Sequence, residues 1–282
     1  MTTMKIKMPE LAPAPIFPVY KLQGRHWKDG IAVRSPNWLG DAVMTLPALV
    51  QLKKIIPSHC ALCIVCPAGL RDFYESIPLV DRVVCLHEAH KAWTRDDLRT
   101  VRRLQAGVGL LFNNSLRDAL YFRLACIPRL FGAAARCRGI LLTRAYHYPP
   151  HRDKRLNNLK KKKKYLSMVY ALGAPQWQGE MPKFKEEAPV VADNPVLAQA
   201  LAAPRLLTLA AGAAYGASKR WPSENFRKIC EDWVKRGGMV AVLGAPSESR
   251  IAEEVLEGIP PEKSFNLAGK TDLKQLMAVL RH

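Results

Sequence analysis

No stretch of the 282-residue sequence reaches the roughly 18 to 20 uncharged apolar residues that a membrane-spanning helix needs. The N-terminal region also lacks the apolar core and small-residue cleavage site of a secretory signal peptide. Seven cysteines are an odd number, scattered mostly within apolar segments, which indicates reduced thiols rather than a disulfide framework. Together these absences predict a cytoplasmic protein.

Acidic residues are scarce relative to basic ones. The chain has 24 Asp and Glu against 43 Lys and Arg, a formal net charge of +19. Charge of this size predicts an anionic partner, and nucleic acid, phospholipid and phosphorylated glycan all qualify. A soluble enzyme with a basic surface is the alternative, since net charge governs association rather than fold. Hydrophobic residues make up 49% of the chain, which is globular composition and argues against general disorder.

Short apolar runs alternate with helix-length segments through the first half of the chain, after a proline-rich start. Such alternation predicts a parallel sheet covered by helices on both faces. The predicted strands cover residues 31–36, 61–66, 81–86, 107–114 and 136–140. The predicted helices cover residues 41–54, 94–105, 115–126 and 156–172, with a short helix around residue 71.

A second alternation follows a segment rich in proline and small residues. Its predicted strands cover residues 206–210, 239–244 and 264–269, and its helices cover residues 222–236 and 247–257 and begin again at 272. The predicted fold class is therefore α/β, with two doubly wound domains. We expect an N-terminal arm, a first Rossmann-like domain, a linker and a partial second Rossmann-like domain, at residues 1–28, 29–175, 176–204 and 205–282.

The first segment that could carry chemistry is RSPNWLGDAVMTLPAL, residues 34–49. A predicted strand ends there, Gly40 lies in the turn, and Asp41 stands where a helix begins. Open α/β sheets bind ligands at the carboxyl ends of their strands. Asp41 is therefore a candidate functional residue, and a helix N-cap is its alternative or additional role.

The second such segment is AAGAAYGASKRWP, residues 210–222, between a predicted strand and a predicted helix. Its glycines, its Lys219 and the following helix N-terminus can offer amide groups and positive charge to a diphosphate. The loop matches neither the GxxxxGK[ST] phosphate loop nor the GxGxxG dinucleotide fingerprint. An ordinary strand-to-helix turn is the other interpretation.

Taken together, the two segments resemble glycosyltransferase family 9, the ADP-heptose:lipopolysaccharide heptosyltransferases. Gly40, Asp41 and Pro47 match the family's GD-x5-P loop, and KRWP, residues 219–222, matches its second-domain motif. MVAVLGAPSE and NLAGKTDLKQLMAVL are similar to later segments of the family. The resemblance implies a GT-B architecture, with two Rossmann-like domains across a cleft.

The same resemblance implies an inverting transfer of heptose from ADP-heptose to the inner core of lipopolysaccharide. Asp41 would be the catalytic base, with no metal and no cofactor besides the donor substrate. Residues expected at the donor are Gly212, Tyr215, Gly216, Ser218, Lys219 and Gly244. Strand ends and loops near the expected cleft suggest acceptor contacts for Asn37, Trp38 and Asn114. The expected partners are a nucleotide sugar and a lipid-linked core oligosaccharide.

One departure from the family pattern lies at the C-terminus. The family continues with an NDSG-like donor-binding loop, and this sequence ends before it, so we expect an incomplete second domain. A family member with another donor or acceptor sugar is one alternative function. A basic protein that binds nucleic acid or a membrane surface on a degenerate glycosyltransferase frame is the other.

A run of five lysines, residues 160–164, lies within a predicted helix. Five consecutive residues point to all sides of a helix, so a solvated face is one interpretation. Attraction to anionic lipid headgroups on the inner face of the cytoplasmic membrane, or to a phosphorylated core sugar, is another. Nucleic-acid binding is disfavoured because no aromatic stacking pattern or reading motif accompanies the run.

Cys60, Cys63 and Cys66 form a CxxCxxC string that could suggest a metal cluster. They lie on or beside a predicted strand, where a spacing of three reverses the side-chain direction. We therefore expect no convergence of these three thiols and predict no metal site.

Overall fold

The computed structural model describes residues 17–88, 91–147, 157–185, 193–213 and 217–282. The chain divides into two compact units, Met1–Lys185 and Glu186–His282. No helix in the described ranges is both long enough and apolar enough to cross a membrane.

Unit 1 is an alternation of strands and helices. Its strands are β1 (Gly30–Arg34), β2 (Ala61–Pro67), β3 (Arg82–Leu86), β4 (Val108–Leu111), β5 (Arg129–Ala133) and β6 (Arg144–Tyr146). Its α-helices are α1 (Gly24–Trp27), α2 (Leu39–Lys53), α3 (Arg71–Glu75), α4 (Arg95–Arg103), α5 (Leu116–Leu124) and α6 (Asn157–Tyr170). Short 3₁₀ turns cover Ala68–Leu70 and Arg138–Leu141.

The six strands of unit 1 form one parallel sheet in the order β3-β2-β1-β4-β5-β6. The chain moves outwards from β1 to β3 and then returns to the other side of β1 at β4. Parallel sheets bind ligands at the carboxyl ends of the two strands where the direction reverses. In this sheet those two strands are β1 and β4, so a ligand site is expected at the loops that follow them.

Helices cover both faces of this sheet. On one face, α4 and α5 contribute Val101, Ala119 and Phe122 to a core that also contains strand residues such as Val65. The helices α2 and α6 pack against each other, and their buried residues include Leu46 and Met168. The sheet of unit 1 is therefore buried on both sides, as the near-continuous apolar strands predict.

Unit 2 has a smaller parallel sheet in the order β7-β8-β9. Its strands are β7 (Leu206–Leu209), β8 (Met239–Val242) and β9 (Ser264–Asn266). Its α-helices are α7 (Pro195–Leu201), α8 (Ser223–Lys235), α9 (Ser249–Leu256) and α10 (Leu273–Arg281). Short 3₁₀ turns cover Ala217–Lys219, Pro246–Glu248 and Pro261–Lys263.

Strand β8 shows why both faces of this small sheet are apolar. Ala241 packs into a core formed with α7 and α10, whereas Val240 and Val242 pack into a core formed with α8 and α9. Side chains alternate along a strand, so a continuous apolar strand supplies both cores. Unit 2 is therefore a parallel sheet with helices packed on both faces.

The strand predicted at residues 136–140 is wrong. The strand is β5, seven residues earlier at its start, where it pairs with β4 from Val108↔Arg129 to Leu111↔Gly132. Arg136 and Cys137 have left-handed backbones, with φ values of 50° and 59°, and residues with that conformation interrupt a strand. The run RLFGA is short, directly follows Pro128 and begins with a charged residue, Arg129. Its apolar pattern in the sequence was therefore weak.

Residues 17–28 of the expected N-terminal arm contact the rest of unit 1. Trp27 is buried, and the backbone N–H of Tyr20 donates to the carbonyl of Ala171 at 2.7 Å. The Tyr20 ring also packs edge-on against Phe131 of β5. Residues 1–16 lie outside the described part of the chain.

Helix α7 lies within residues 176–204, the segment predicted to be a linker. The Asn194 side chain accepts a hydrogen bond from the backbone N–H of Leu197 at 3.0 Å, and Pro195 takes the first helical position. Both are helix-start signals. Leu197 and Ala200 are buried in the unit 2 core, so this helix is part of that unit.

Candidate active site

Asp41 stands in the first turn of α2, directly beyond the carboxyl end of β1. Its side chain is 21% exposed, so the carboxylate is sheltered yet reachable. The N-cap residue of α2 is Trp38, whose side chain makes no cap hydrogen bond. The N-cap interpretation of Asp41 is therefore wrong. A carboxylate in this first turn is still favoured by the positive end of the helix dipole.

The partner of Asp41 comes from the lysine run. Lys161 on α6 donates from Nζ to Oδ1 of Asp41 at 2.8 Å. Because α2 and α6 pack against each other, a residue 120 positions away reaches the candidate base. Charge-assisted hydrogen bonds of this length orient a carboxylate as well as attract it. The run therefore has a specific structural role at one of its positions.

Arg34, the last residue of β1, is fully buried beneath the loop that leads to Asp41. Its guanidinium donates from Nε to Asp118 Oδ2 at 2.8 Å, from Nη1 to the Ser35 carbonyl at 2.7 Å, and from Nη2 to Asn37 Oδ1 at 2.8 Å. Burial lowers the pKa of Arg34, and the adjacent Asp118 carboxylate opposes that shift. One side chain thereby holds two residues of the loop, Ser35 and Asn37.

Asp118, in the first turn of α5, accepts further hydrogen bonds besides the one from Arg34. Trp93 donates from Nε1 to its Oδ1 at 3.2 Å, and Asn113 donates from Nδ2 to its Oδ2. Asn113 follows β4, so Asp118 ties the loop after β4 to the loop after β1. The buried pair of Arg34 and Asp118 therefore joins the two loops at the point where the sheet direction reverses.

The three residues predicted to contact the acceptor all lie at this edge. Asn37 is held by Arg34, and Trp38 is largely exposed. Asn114 accepts a hydrogen bond from Lys164 Nζ at 3.4 Å. Burial, followed by the charges of Arg138 and Lys161, lowers the pKa of Lys164. The positive charges of Lys164, Arg138 and Lys161, the partner of Asp41, therefore lie close to one another.

Arg138 is a second fully buried arginine in unit 1. It donates from Nε to the Ala133 carbonyl at 2.8 Å and from Nη1 to the Ser115 carbonyl at 3.4 Å. Burial lowers its pKa to about 10. Its Nη2 has no hydrogen-bond partner among the described residues. Arg138 holds the loop after β5 against the start of α5.

In unit 2, a cavity of about 350 Å³ opens at the carboxyl ends of the strands. It contains Gly212 and Gly244, two of the residues predicted to bind the donor. Its full lining is Ala210, Gly212, Leu243, Gly244, Glu248, Thr271, Asp272, Leu273, Leu276 and Leu280. The cavity is large enough for part of a nucleotide sugar.

Glu248 explains why glycine occupies both positions. A Cβ added to Gly212 would lie 2.1 Å from the Glu248 carboxyl group, and one added to Gly244 would lie 2.9 Å from its Oε2. The same Oε2 accepts a hydrogen bond from the backbone N–H of Ala245 at 2.8 Å. The two glycines therefore make room for one fixed acidic side chain in the cavity.

Ser218 and Lys219 lie in the 3₁₀ turn Ala217–Lys219 and are exposed. Neither lines the cavity. The neighbouring Arg220 donates from Nη2 to the Ala213 carbonyl at 3.3 Å and so ties the turn to the loop after β7. Tyr215 and Gly216, also predicted at the donor, lie outside the described residues.

The residues that sequence reasoning missed are Arg34, Asp118, Arg138, Lys161 and Glu248. A signal for Arg34 was present, since a charged residue ends an otherwise apolar predicted strand. Lys161 had no signal of its own because its neighbours in the run are identical. In the part of the chain that the structure describes, no three His, Cys, Asp or Glu residues are grouped so that they could hold a metal ion.

The family profile described as "Glycosyltransferase family 9 (heptosyltransferase)" matches residues 97–282. Two curated relatives are both named lipooligosaccharide heptosyltransferase 2. The protein from Haemophilus influenzae is 26% identical over 281 residues, and that from Haemophilus ducreyi is 27% identical over 271 residues. Each alignment covers 89% of this chain and 74% of the relative.

Solved structures with the same fold include E. coli ADP-heptose lps heptosyltransferase II, at 20% identity and a TM-score of 0.71. A family 9 glycosyl transferase from Veillonella parvula has 18% identity and a TM-score of 0.74. Each likeness covers 89% of this chain, and they cover 76% and 72% of the two solved chains. The predicted α/β fold of the GT-B class is therefore confirmed.

We expect Asp118→Ala to destabilise unit 1 strongly, because it leaves the Arg34 guanidinium buried without its counter-charge. Breaking a buried ion pair costs about 3 to 5 kcal/mol, and urea unfolding measures the loss. Glu75→Ala, which removes an exposed ion pair with Arg71, is the matched control and should cost less than about 1 kcal/mol. Equal, small losses in both variants would contradict the role given to Asp118.

Proposed function

Because the chain belongs to glycosyltransferase family 9, we propose that it transfers a heptose from ADP-heptose to the inner core of lipopolysaccharide. The chain is a glycosyltransferase, and both curated relatives carry the name of a lipooligosaccharide heptosyltransferase. The observation that carries the proposal is the position of Asp41 at the carboxyl end of β1, with its carboxylate held by Lys161. Transfer of another sugar by the same site is the alternative within the family.

Asp41 is assigned as the general base. As the acceptor hydroxyl oxygen attacks the anomeric carbon of the donor, Asp41 takes the hydroxyl proton. The bond between that carbon and the diphosphate oxygen breaks, ADP leaves, and the anomeric centre is inverted. A general base must be within reach of the acceptor hydroxyl, and Asp41 at 21% exposure meets that requirement.

Lys161 is assigned as the residue that orients this base. Its ammonium occupies Oδ1 of Asp41, and we assign the other oxygen, Oδ2, to the acceptor hydroxyl. A carboxylate held by a charge-assisted hydrogen bond presents one defined oxygen rather than a rotating pair. The ion pair thus prepares the geometry before the acceptor arrives.

The donor is assigned to the cavity of unit 2. A fixed carboxylate such as Glu248 repels phosphate but accepts hydrogen bonds from hydroxyl groups, so we assign it to the ribose of ADP. Lys219 and the amides of its turn are assigned to the diphosphate, where positive charge stabilises the leaving group. This scheme needs no metal and no cofactor other than the donor substrate.

We propose also that the enzyme works in the cytoplasm and makes peripheral contact with the anionic inner face of the cytoplasmic membrane. A net charge of +19 supports this location, because basic segments gain energy near anionic lipids. The acceptor, a lipid-linked core oligosaccharide, lies at that surface.

Asp41→Asn should abolish most transfer while leaving ADP binding unchanged, because the amide keeps the shape of the carboxylate but cannot take a proton. General base catalysis contributes about 100-fold to 10,000-fold to the rate, and kcat should fall within that range. The test measures sugar transfer by mass spectrometry of the acceptor. ADP-heptose and other nucleotide sugars are offered as donors in parallel reactions. Full activity of Asp41→Asn would show that Asp41 is not the general base.

Lys161→Met should lower kcat by roughly tenfold to a hundredfold, the range expected for losing a hydrogen bond to a charged group. Lys163→Met is the matched control, because it removes the same charge from the same run at an exposed position. If the run served only as a general positive surface, both variants would lose activity equally. The pH profile of kcat should change in Lys161→Met alone.

Lys219→Ala and Glu248→Gln should each weaken ADP binding by about tenfold or more, since the first removes a charged donor and the second replaces a charged acceptor with a neutral one. Isothermal titration with ADP, and with UDP as the comparison nucleotide, measures the effect. Lys228→Ala on α8 and Glu253→Gln on α9 are controls at exposed positions of unit 2. ADP affinity that is the same in all four variants would refute the donor assignment.

A further inference from the structure

Two cysteines of unit 1 face each other on neighbouring strands. Cys66 of β2 and Cys85 of β3 are register partners in the parallel sheet, and their sulfur atoms lie 4.0 Å apart. Neighbouring strands are about 4.8 Å apart, and disulfides join residues whose Cα atoms are roughly 4.4 to 6.8 Å apart. The sheet therefore holds the two thiols side by side, at a strand spacing that lies within the Cα range of disulfides.

The surroundings give the two thiols different chemical characters. The hydrogen bond with Cys66, followed by the charge of Arg71, lowers the pKa of Cys85 to about 7, although partial burial opposes this. The same hydrogen bond, together with burial, raises the pKa of Cys66 well above its ordinary value. Cys85 is partly exposed and Cys66 is fully buried. A reagent from solution therefore meets the more acidic thiol first.

The other buried thiols lack this arrangement, and burial raises the pKa of Cys60 above its ordinary value. Burial raises the pKa of Cys63 and of Cys230 to about 11, so both are protonated and inert at neutral pH. Cys126 and Cys137 are exposed and so serve as internal references for simple accessibility.

We propose that Cys85 and Cys66 form a two-cysteine redox site whose substrate is a peroxide. The Cys85 thiolate attacks one oxygen of the peroxide and the O–O bond breaks. With hydrogen peroxide, the product is a sulfenic acid on Cys85, and the departing hydroxide becomes water by taking up a proton. The Cys66 sulfur then attacks the Cys85 sulfur, the S–O bond breaks, and a second water leaves with the Cys66 proton.

The overall change joins two thiols in a disulfide, with the loss of two electrons and two protons to the peroxide. A small dithiol reductant returns the pair to its starting state. The disulfide ties the edge strand β3 to β2, whose Val65 carbonyl accepts a hydrogen bond from the Ser35 N–H at 3.0 Å. The redox site thus adjoins the loop after β1, but its chemistry does not depend on the transferase assignment.

The test uses the whole reduced chain, freed of reductant and treated with graded hydrogen peroxide. Remaining thiols are then alkylated, and the digested protein is analysed by tandem mass spectrometry. We expect a linked pair of peptides joined through Cys66 and Cys85 at peroxide levels that leave Cys63 and Cys230 alkylated, and loss of the link after dithiothreitol. The same treatment in urea should abolish this selectivity, because only the folded sheet brings the thiols together.

Single substitutions separate the two steps. Cys66→Ser should stop the reaction at the sulfenic acid on Cys85, which dimedone traps, and Cys85→Ser should leave Cys66 alkylated. Cys63→Ser, on the same strand, is the matched control and should keep the link. Oxidation of Cys126 and Cys137 while Cys66 and Cys85 stay alkylated in the wild-type chain would overturn the proposal, and that result requires no variant to fold.

Discussion

A single buried ion pair determines the geometry at the carboxyl edge of the first sheet. The Arg34 guanidinium cannot be solvated at the end of a fully buried strand, so its donors must all find protein acceptors. They find Asp118 on α5 and two acceptors in the loop after β1, Ser35 and Asn37. The energetic demand of one charge thereby sets the path of the loop that leads into α2. The position of Asp41, in the first turn of α2, follows from the path of this loop.

The alternation of elements was predictable because it depends on local pattern. Apolar strands and capped helices carry their signals within a few neighbouring residues, as Thr94 and Ser115 illustrate at the starts of α4 and α5. Strand β5 was misplaced because its five residues are bounded by arginine and proline and carry no turn signal of their own. Helix α7 was missed because its proline belongs to the helix start, whereas the surrounding prolines indicated a linker.

Within the candidate site, motif residues were predictable and their partners were not. The position of Asp41 beyond the end of β1 was predictable from the apolar strand before it, and Gly40 and Pro47 marked the motif around it. The contact with Lys161 arises from the packing of two helices that are far apart in sequence. The pairing of Cys66 with Cys85 likewise depends on the register of two strands, whereas the visible CxxCxxC string did not predict it. Contacts between residues far apart in sequence produce no periodic pattern from which they could be predicted.

Members of the lysine run make different contacts in the folded chain. Lys161 holds Asp41, Lys162 lies 4.4 Å from the centre of the Trp177 ring, and Lys164 contacts Asn114. Because Tyr165 and Leu166 anchor the helix in the core, loss or gain of one lysine from the run would still leave lysine at the positions that face Asp41 and Asn114. The ion pair with Asp41 therefore tolerates a change in the length of the run.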